Sequence, residues 1–248
     1  MSDLTTLTEV HGGLLPRDSI LHRYQLHGRS LPCAIAFKSV DYHLMHEPTG
    51  VILLTHQRRD LIELAGEALS NLDTPVLFDS HDKHLLLHSL PERLASWLWE
   101  LRQLGPRKEP IPFSAFKGGA KRGEQAYYIV VQISGFPDPV PSLRVGRVIR
   151  PPITGQRPRL ALRNETGTYW LDHIPSGCLV GTFATKKVGE QVAKQMYHFV
   201  GSKESFDSNQ REIAVSELPE SFRLYVASHS LATTFKNFTE WGEFHGTK

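Results

Sequence analysis

Cysteine is nearly absent from this chain. Its 248 residues include two, Cys33 and Cys178, and no Cys-x-x-Cys pair. A thiolate zinc site needs clustered sulfur donors, so none is expected. Both cysteines read as small apolar side chains. Long apolar runs are missing too: no stretch approaches the eighteen or so residues that would cross a bilayer. The opening Met1-Ser2-Asp3-Leu4-Thr5-Thr6 carries neither the basic segment nor the apolar run of a secretory signal. The expectation is a soluble, cytoplasmic protein without a membrane partner.

The usual catalytic signatures are also lacking. There is no Gly-x-Ser-x-Gly elbow, no Gly-x-x-x-x-Gly-Lys-Ser/Thr loop, no Gly-x-Gly-x-x-Gly and no His-Glu-x-x-His. No catalytic residue, cofactor or metal is therefore assigned. The 40% hydrophobic content is ample for a packed core.

What the chain does contain is repetition. Tyr42-His43-Leu44-Met45-His46-Glu47-Pro48-Thr49-Gly50 aligns without a gap on Tyr169-Trp170-Leu171-Asp172-His173-Ile174-Pro175-Ser176-Gly177. The register continues through Thr55 and Thr182, then Glu63 and Glu190. After a one-residue slip, Phe78-Asp79-Ser80 meets Phe206-Asp207-Ser208, and Leu90-Pro91-Glu92 meets Leu218-Pro219-Glu220. Three matches in one order at nearly one spacing point to an internal duplication.

Each copy reads as an α+β unit of roughly βββ-α-ββ-α. Cys33–Phe37, Tyr42–His46 and Val51–Leu54 have strand composition, with Pro48-Thr49-Gly50 as the turn. Leu61, Ala65, Leu69 and Leu72 form a helical stripe, matched by Val188, Val192, Met196 and Phe199. A strand pair is expected at Pro75–Phe78 and His84–Leu87. A second helix follows from Pro91, with Ser89 and Glu92 as a capping box. The expected division is an N-terminal segment 1–27, unit 28–105, connector 106–154, unit 155–235 and tail 236–248. Two such units would pack about a pseudo-twofold axis.

The connector stands apart by charge. Residues 106–163 hold eleven basic and three acidic residues, a net charge of +8, while the rest of the chain carries −6. The formal total of +2 conceals this separation. Residues 117–123 read as a flexible loop, Ala126–Ile133 as a strand, and Arg144–Pro152 as a basic ribbon. Arginine forks bind phosphate oxygens in pairs, and tyrosines stack on unpaired bases. Lys117, Lys121, Arg122, Arg144, Arg147, Arg150, Arg157 and Arg159 are the candidate phosphate contacts, with Tyr127 and Tyr128 as candidate stacking platforms. The competing reading is a solvated basic linker.

Histidines are the remaining candidates for chemistry. His84 and His88 have i, i+4 spacing, but a strand at His84 would separate them. His46 and His173 recur beside Pro48/Gly50 and Pro175/Gly177, where an imidazole can bond the turn and fix its shape. The sequence thus points to a noncatalytic nucleic-acid-binding protein, DNA or RNA. A protein-interaction subunit of a larger assembly and a histidine-dependent nuclease or hydrolase are the alternatives.

Overall fold

A computed structural model of the protein describes residues 20–26, 29–38, 40–72, 80–119, 121–131, 139–152, 156–208 and 218–231. The fold is mixed α+β, with mostly antiparallel strands and five α-helices among the described residues. The chain divides into two compact units. Unit 1 is Met1–Lys121 with Ala126–Val145, and unit 2 is Arg122–Gln125 with Gly146–Lys248. Strands β5 (Glu124–Val131) and β6 (Val140–Ile149) each give one part to either unit. Of Arg144–Pro152, expected as a basic ribbon, Arg144 to Ile149 belong to strand β6.

In unit 1, β1 (Ile20–Leu26), β2 (Arg29–Lys38), β3 (Asp41–His46) and β4 (Val51–His56) form an antiparallel meander. β4 then meets β6 in parallel at Ile52 and Ser142. β1 lies in the segment expected to precede the unit. Helix α1 (Arg59–Ser70) buries Leu61, Ile62, Ala65 and Leu69, an i, i+1, i+4, i+8 stripe that faces the core. Arg59 and Glu63 close an i, i+4 pair at 2.8 Å on its wet side. α3 (Glu92–Arg102) adds Leu94, Trp97, Leu98 and Leu101 to the same core as Ile35, Leu44 and Leu54.

Unit 2 takes the end of β6, then β7 (Leu160–Glu165), β8 (Thr168–His173) and β9 (Cys178–Phe183), all antiparallel. Next come α4 (Lys186–Val200), a 3-10 turn at Glu204–Asp207 and α5 (Glu220–His229). The Thr185 hydroxyl accepts from Val188 N and caps α4. Val192, Met196 and Val200, four residues apart, bury one stripe of α4 against Leu160, Leu162 and Leu171.

The ladders of the two units coincide residue for residue. Cys33 pairs with His46, and Leu160, 127 positions later, pairs with His173. The same offset relates Ile35–Leu44 to Leu162–Leu171, and Tyr42–His56 to Tyr169–Phe183. Even the irregularity recurs: β3 slips against β4 between Leu44 and Met45, and β8 slips against β9 between Leu171 and Asp172. The turns agree in detail. Gly50 N donates to His46 O at 2.9 Å, and Gly177 N donates to His173 O at 2.9 Å. Gly50 has φ +67° and Gly177 φ +68°. A Cβ in this left-handed region costs about 1–2 kcal/mol. Gly50→Ala and Gly177→Ala are each expected to lower stability by about that much in denaturant titrations. Equal stability would mean that the turns relax.

Two local expectations are corrected. His84–Leu87 is not a strand but part of α2 (Lys83–Ser89). The Asp82 carboxylate accepts from His84 N and Leu85 N, and Leu86 and Leu87 turn inward while Leu85 points out. A run of three leucines fits either period, and the aspartate cap decides it. The capping box at Ser89 and Glu92 does not form either. The Ser89 hydroxyl donates backwards to Leu86 O at 2.7 Å, and Pro91 starts α3 without a side-chain cap. The expected strand at Pro75–Phe78 lies outside the described residues.

Candidate nucleic-acid interface

The eight candidate phosphate contacts separate into two groups. Six are exposed: Lys117 and Lys121 on unit 1, and Arg122, Arg147, Arg150 and Arg157 on unit 2. Two are built into the protein. Arg144 is 4% exposed and donates through Nη1 to Ser142 Oγ at 2.6 Å and Leu143 O at 2.7 Å. Arg159 is 8% exposed and grips both carboxylate oxygens of Asp207 as well as Gly201 O. That ion pair holds the Asp207 carboxyl below the usual range and raises the Arg159 guanidinium further. Neither side chain is available to a phosphate, so both are withdrawn from the interface. A charge count along the chain cannot tell a wet arginine from one that ties two elements together.

On unit 2 the exposed arginines are placed by the strands. Arg122 sits in the turn that opens β5, and Val148 N donates to Gly123 O at 2.8 Å. This bond sets Arg122 close to the β6 stretch that carries Arg147, with Arg150 just past the strand's end. Arg157 lies in the extended approach to β7. None of these four guanidinium groups forms an ion pair with a described residue. They keep five donors each for a ligand.

The expected stacking platforms are not there. Tyr127 is 2% and Tyr128 1% exposed, and Tyr128 belongs to the unit 1 core. His84 meets the Tyr128 ring edge-on at 5.0 Å, and Lys83 Nζ lies 4.3 Å from its centroid. Tyr127, Tyr128 and Ile129 are buried in a row, so both faces of β5 are covered at the two rings, and exposure begins at Val130.

The recurring histidines hold their turns. In unit 2, the Ser176 hydroxyl donates to His173 Nδ1 at 2.8 Å, which leaves the proton on Nε2, and Nε2 donates to Phe206 O at 2.8 Å. Burial pushes His173 down to about 4, against the raising effect of the Phe206 bond. Cys178 N completes the turn on Ser176 Oγ. In unit 1, Thr49 Oγ1 bonds His46 Nδ1 at 2.7 Å and accepts from Val51 N. His46 is 0% and His173 3% exposed.

Sequence reasoning missed the acidic partners. Asp207 reads as a turn residue of the repeated Phe-Asp-Ser, yet it anchors Arg159. Its counterpart Asp79 lies outside the described residues. Asp172, 127 positions after Met45, is fully buried against Arg163 at 2.6 Å, and Glu165 joins the same guanidinium. Arg163 also lies over the Trp170 ring at 4.6 Å. The cysteines differ from each other: Cys33 is buried, with its thiol pushed up by desolvation, while Cys178 is half-buried.

Among the described residues, no group of three or more His, Cys, Asp or Glu side chains is arranged to hold a metal ion. None of their helices is long and apolar enough to cross a membrane. Comparison with known protein families, with characterised proteins and with solved structures finds no match to this chain.

Proposed function

We propose that this chain is a tandem duplication of one α+β unit and works as a noncatalytic nucleic-acid-binding protein in the cytoplasm. The duplication rests on the common 127-residue offset of the ladders, the shared slip and the matching histidine turns. The binding reading rests on one observation: Arg122, Arg147, Arg150 and Arg157 are exposed on unit 2 without an ion-pair partner among the described residues. Free guanidinium groups repel one another, and phosphates relieve that repulsion. The noncatalytic part rests on the two recurring histidines, His46 and His173, whose buried rings bond their own turns.

The test is fluorescence anisotropy with labelled DNA and RNA across several salt concentrations. Arg122→Glu, Arg147→Glu and Arg150→Glu together are expected to weaken binding at least a hundredfold, since three phosphate contacts become three repulsions. Arg144 is left in place because its loss would disturb the strand. Unchanged affinity in the triple variant would reject this interface.

A second reading, a subunit that binds another protein, draws on Phe199, Leu224 and Leu231, large apolar side chains exposed at 39%, 64% and 59% on unit 2. It predicts a partner that stays bound after nuclease treatment. Loss of the partner with the nucleic acid would count against it.

A further inference from the structure

We infer that the partner is a duplex, held through its phosphates alone by the four exposed arginines of unit 2. The inference rests on the nucleic-acid reading above and adds the form of the partner. It follows from where the aromatic rings of the basic segment go. Tyr127 and Tyr128 are buried. Phe113 lies between Trp97, at 5.3 Å, and the Arg93 guanidinium, at 4.6 Å. Arg93 further donates to Phe113 O and Phe116 O, which draws this stretch of chain onto α3. Phe116 packs against the unit 1 core. Of the described rings of the segment, two are thus buried and two are packed, partly buried, against the unit 1 core.

Binding to unpaired strands depends on stacking, worth about 1–3 kcal/mol per base. With the rings of the basic segment packed into unit 1, the arginines bind by charge. A duplex presents one phosphate charge per ~1.7 Å of axis, twice the density of a single strand. Four arginines on four phosphates give a slope of log K against log salt of about −3.6 on duplex and about −2.8 on single strand. If the two forms bind alike near 1 M salt, where screening is strong, the duplex is favoured roughly sixfold near 0.1 M. Guanidinium contacts to phosphates carry no sequence information, so the base order is immaterial.

The experiment is a salt titration of the full chain on a duplex, its two separated strands and a duplex of scrambled sequence, in DNA and RNA. Alanine variants at Arg122, Arg147, Arg150 and Arg157 are run singly and together, with thermal midpoints to confirm folding. Expected are tighter duplex binding, equal affinity for the scrambled duplex, and a slope that flattens by about 0.9 per arginine removed. Single strands bound as tightly as duplex, or a slope unchanged in the fourfold variant, would overturn the inference while leaving the broader reading standing. A strong preference for one base sequence would do the same. No binding to any form at low salt would remove the broader reading as well.

Discussion

Replacing Asp172 by alanine is expected to destabilise the protein by about 3–5 kcal/mol, read as a lower denaturant midpoint. Asp172 is 0% exposed on β8, and its partner Arg163 on β7 is 3% exposed. Arg163 donates to it at 2.6 Å. Removing the carboxylate leaves a guanidinium in the interior with Glu165 as its remaining acid. The Coulombic gain that offset its desolvation is then largely lost. The first unit shows what else this part of the sheet accepts. At the 127-residue offset, Ala36 stands for Arg163 and Met45 for Asp172, and both are buried apolar residues. The double variant Arg163→Ala, Asp172→Met is therefore expected to recover most of the loss. Destabilisation by the double variant equal to or greater than that of Asp172→Ala would show that the two units pack this face differently.

Acid is expected to loosen the fold before the carboxylates titrate. His173 is neutral when folded, because burial holds it near 4, whereas the unfolded chain takes up the proton near 6.5. Above 6.5 neither state is protonated and the full stability is present. Between 6.5 and 4 only the unfolded state gains the proton, so stability falls with decreasing pH by about 1.4 kcal/mol per unit. Below 4 the folded ring also protonates and the loss levels off near 3 kcal/mol. His43, which burial also lowers, acts in the same direction. Asp207, held low by Arg159, works in a lower window, beneath the ordinary carboxylate range. Urea titrations from pH 4 to 7.5 on the native chain and on His173→Gln isolate the histidine. The variant is expected to start less stable and to lose most of this slope. Parallel curves would mean that His173 is not held neutral.

The hairpins β3–β4 and β8–β9 were readable from sequence because runs of strand composition flank local Pro-Thr/Ser-Gly turns. His46 and His173 sit three residues before a hydroxyl that meets them, and such contacts follow from spacing alone. The helical stripe of α1 was readable for the same reason. What stayed hidden depends on distant partners. Arg159 finds Asp207 forty-eight positions away, and Arg163 finds Asp172 across a ladder. Nothing in a run of basic residues separates these from Arg147 or Arg150, which face water. Tyr127 and Tyr128 were misread because adjacent aromatic residues on a strand suggest one outward ring, yet both are enclosed. α2 was misread for a different reason: His-Leu-Leu-Leu-His is too short to set a period, and Asp82 decides it.

The division of the chain has a consequence for how this molecule can be cut. Unit 1 reclaims residues 126–145 after unit 2 has already taken 122–125. Tyr128 and Leu143, in that returning stretch, help to fill the first core. A break after 121 strips them away, and a break after 145 takes the opening turn of β5 from the second unit. No single cleavage releases both halves whole. A gene fragment covering one continuous half of the chain would yield an incomplete body. Shuffling these halves as cassettes would require a circular permutation or a grafted hairpin first.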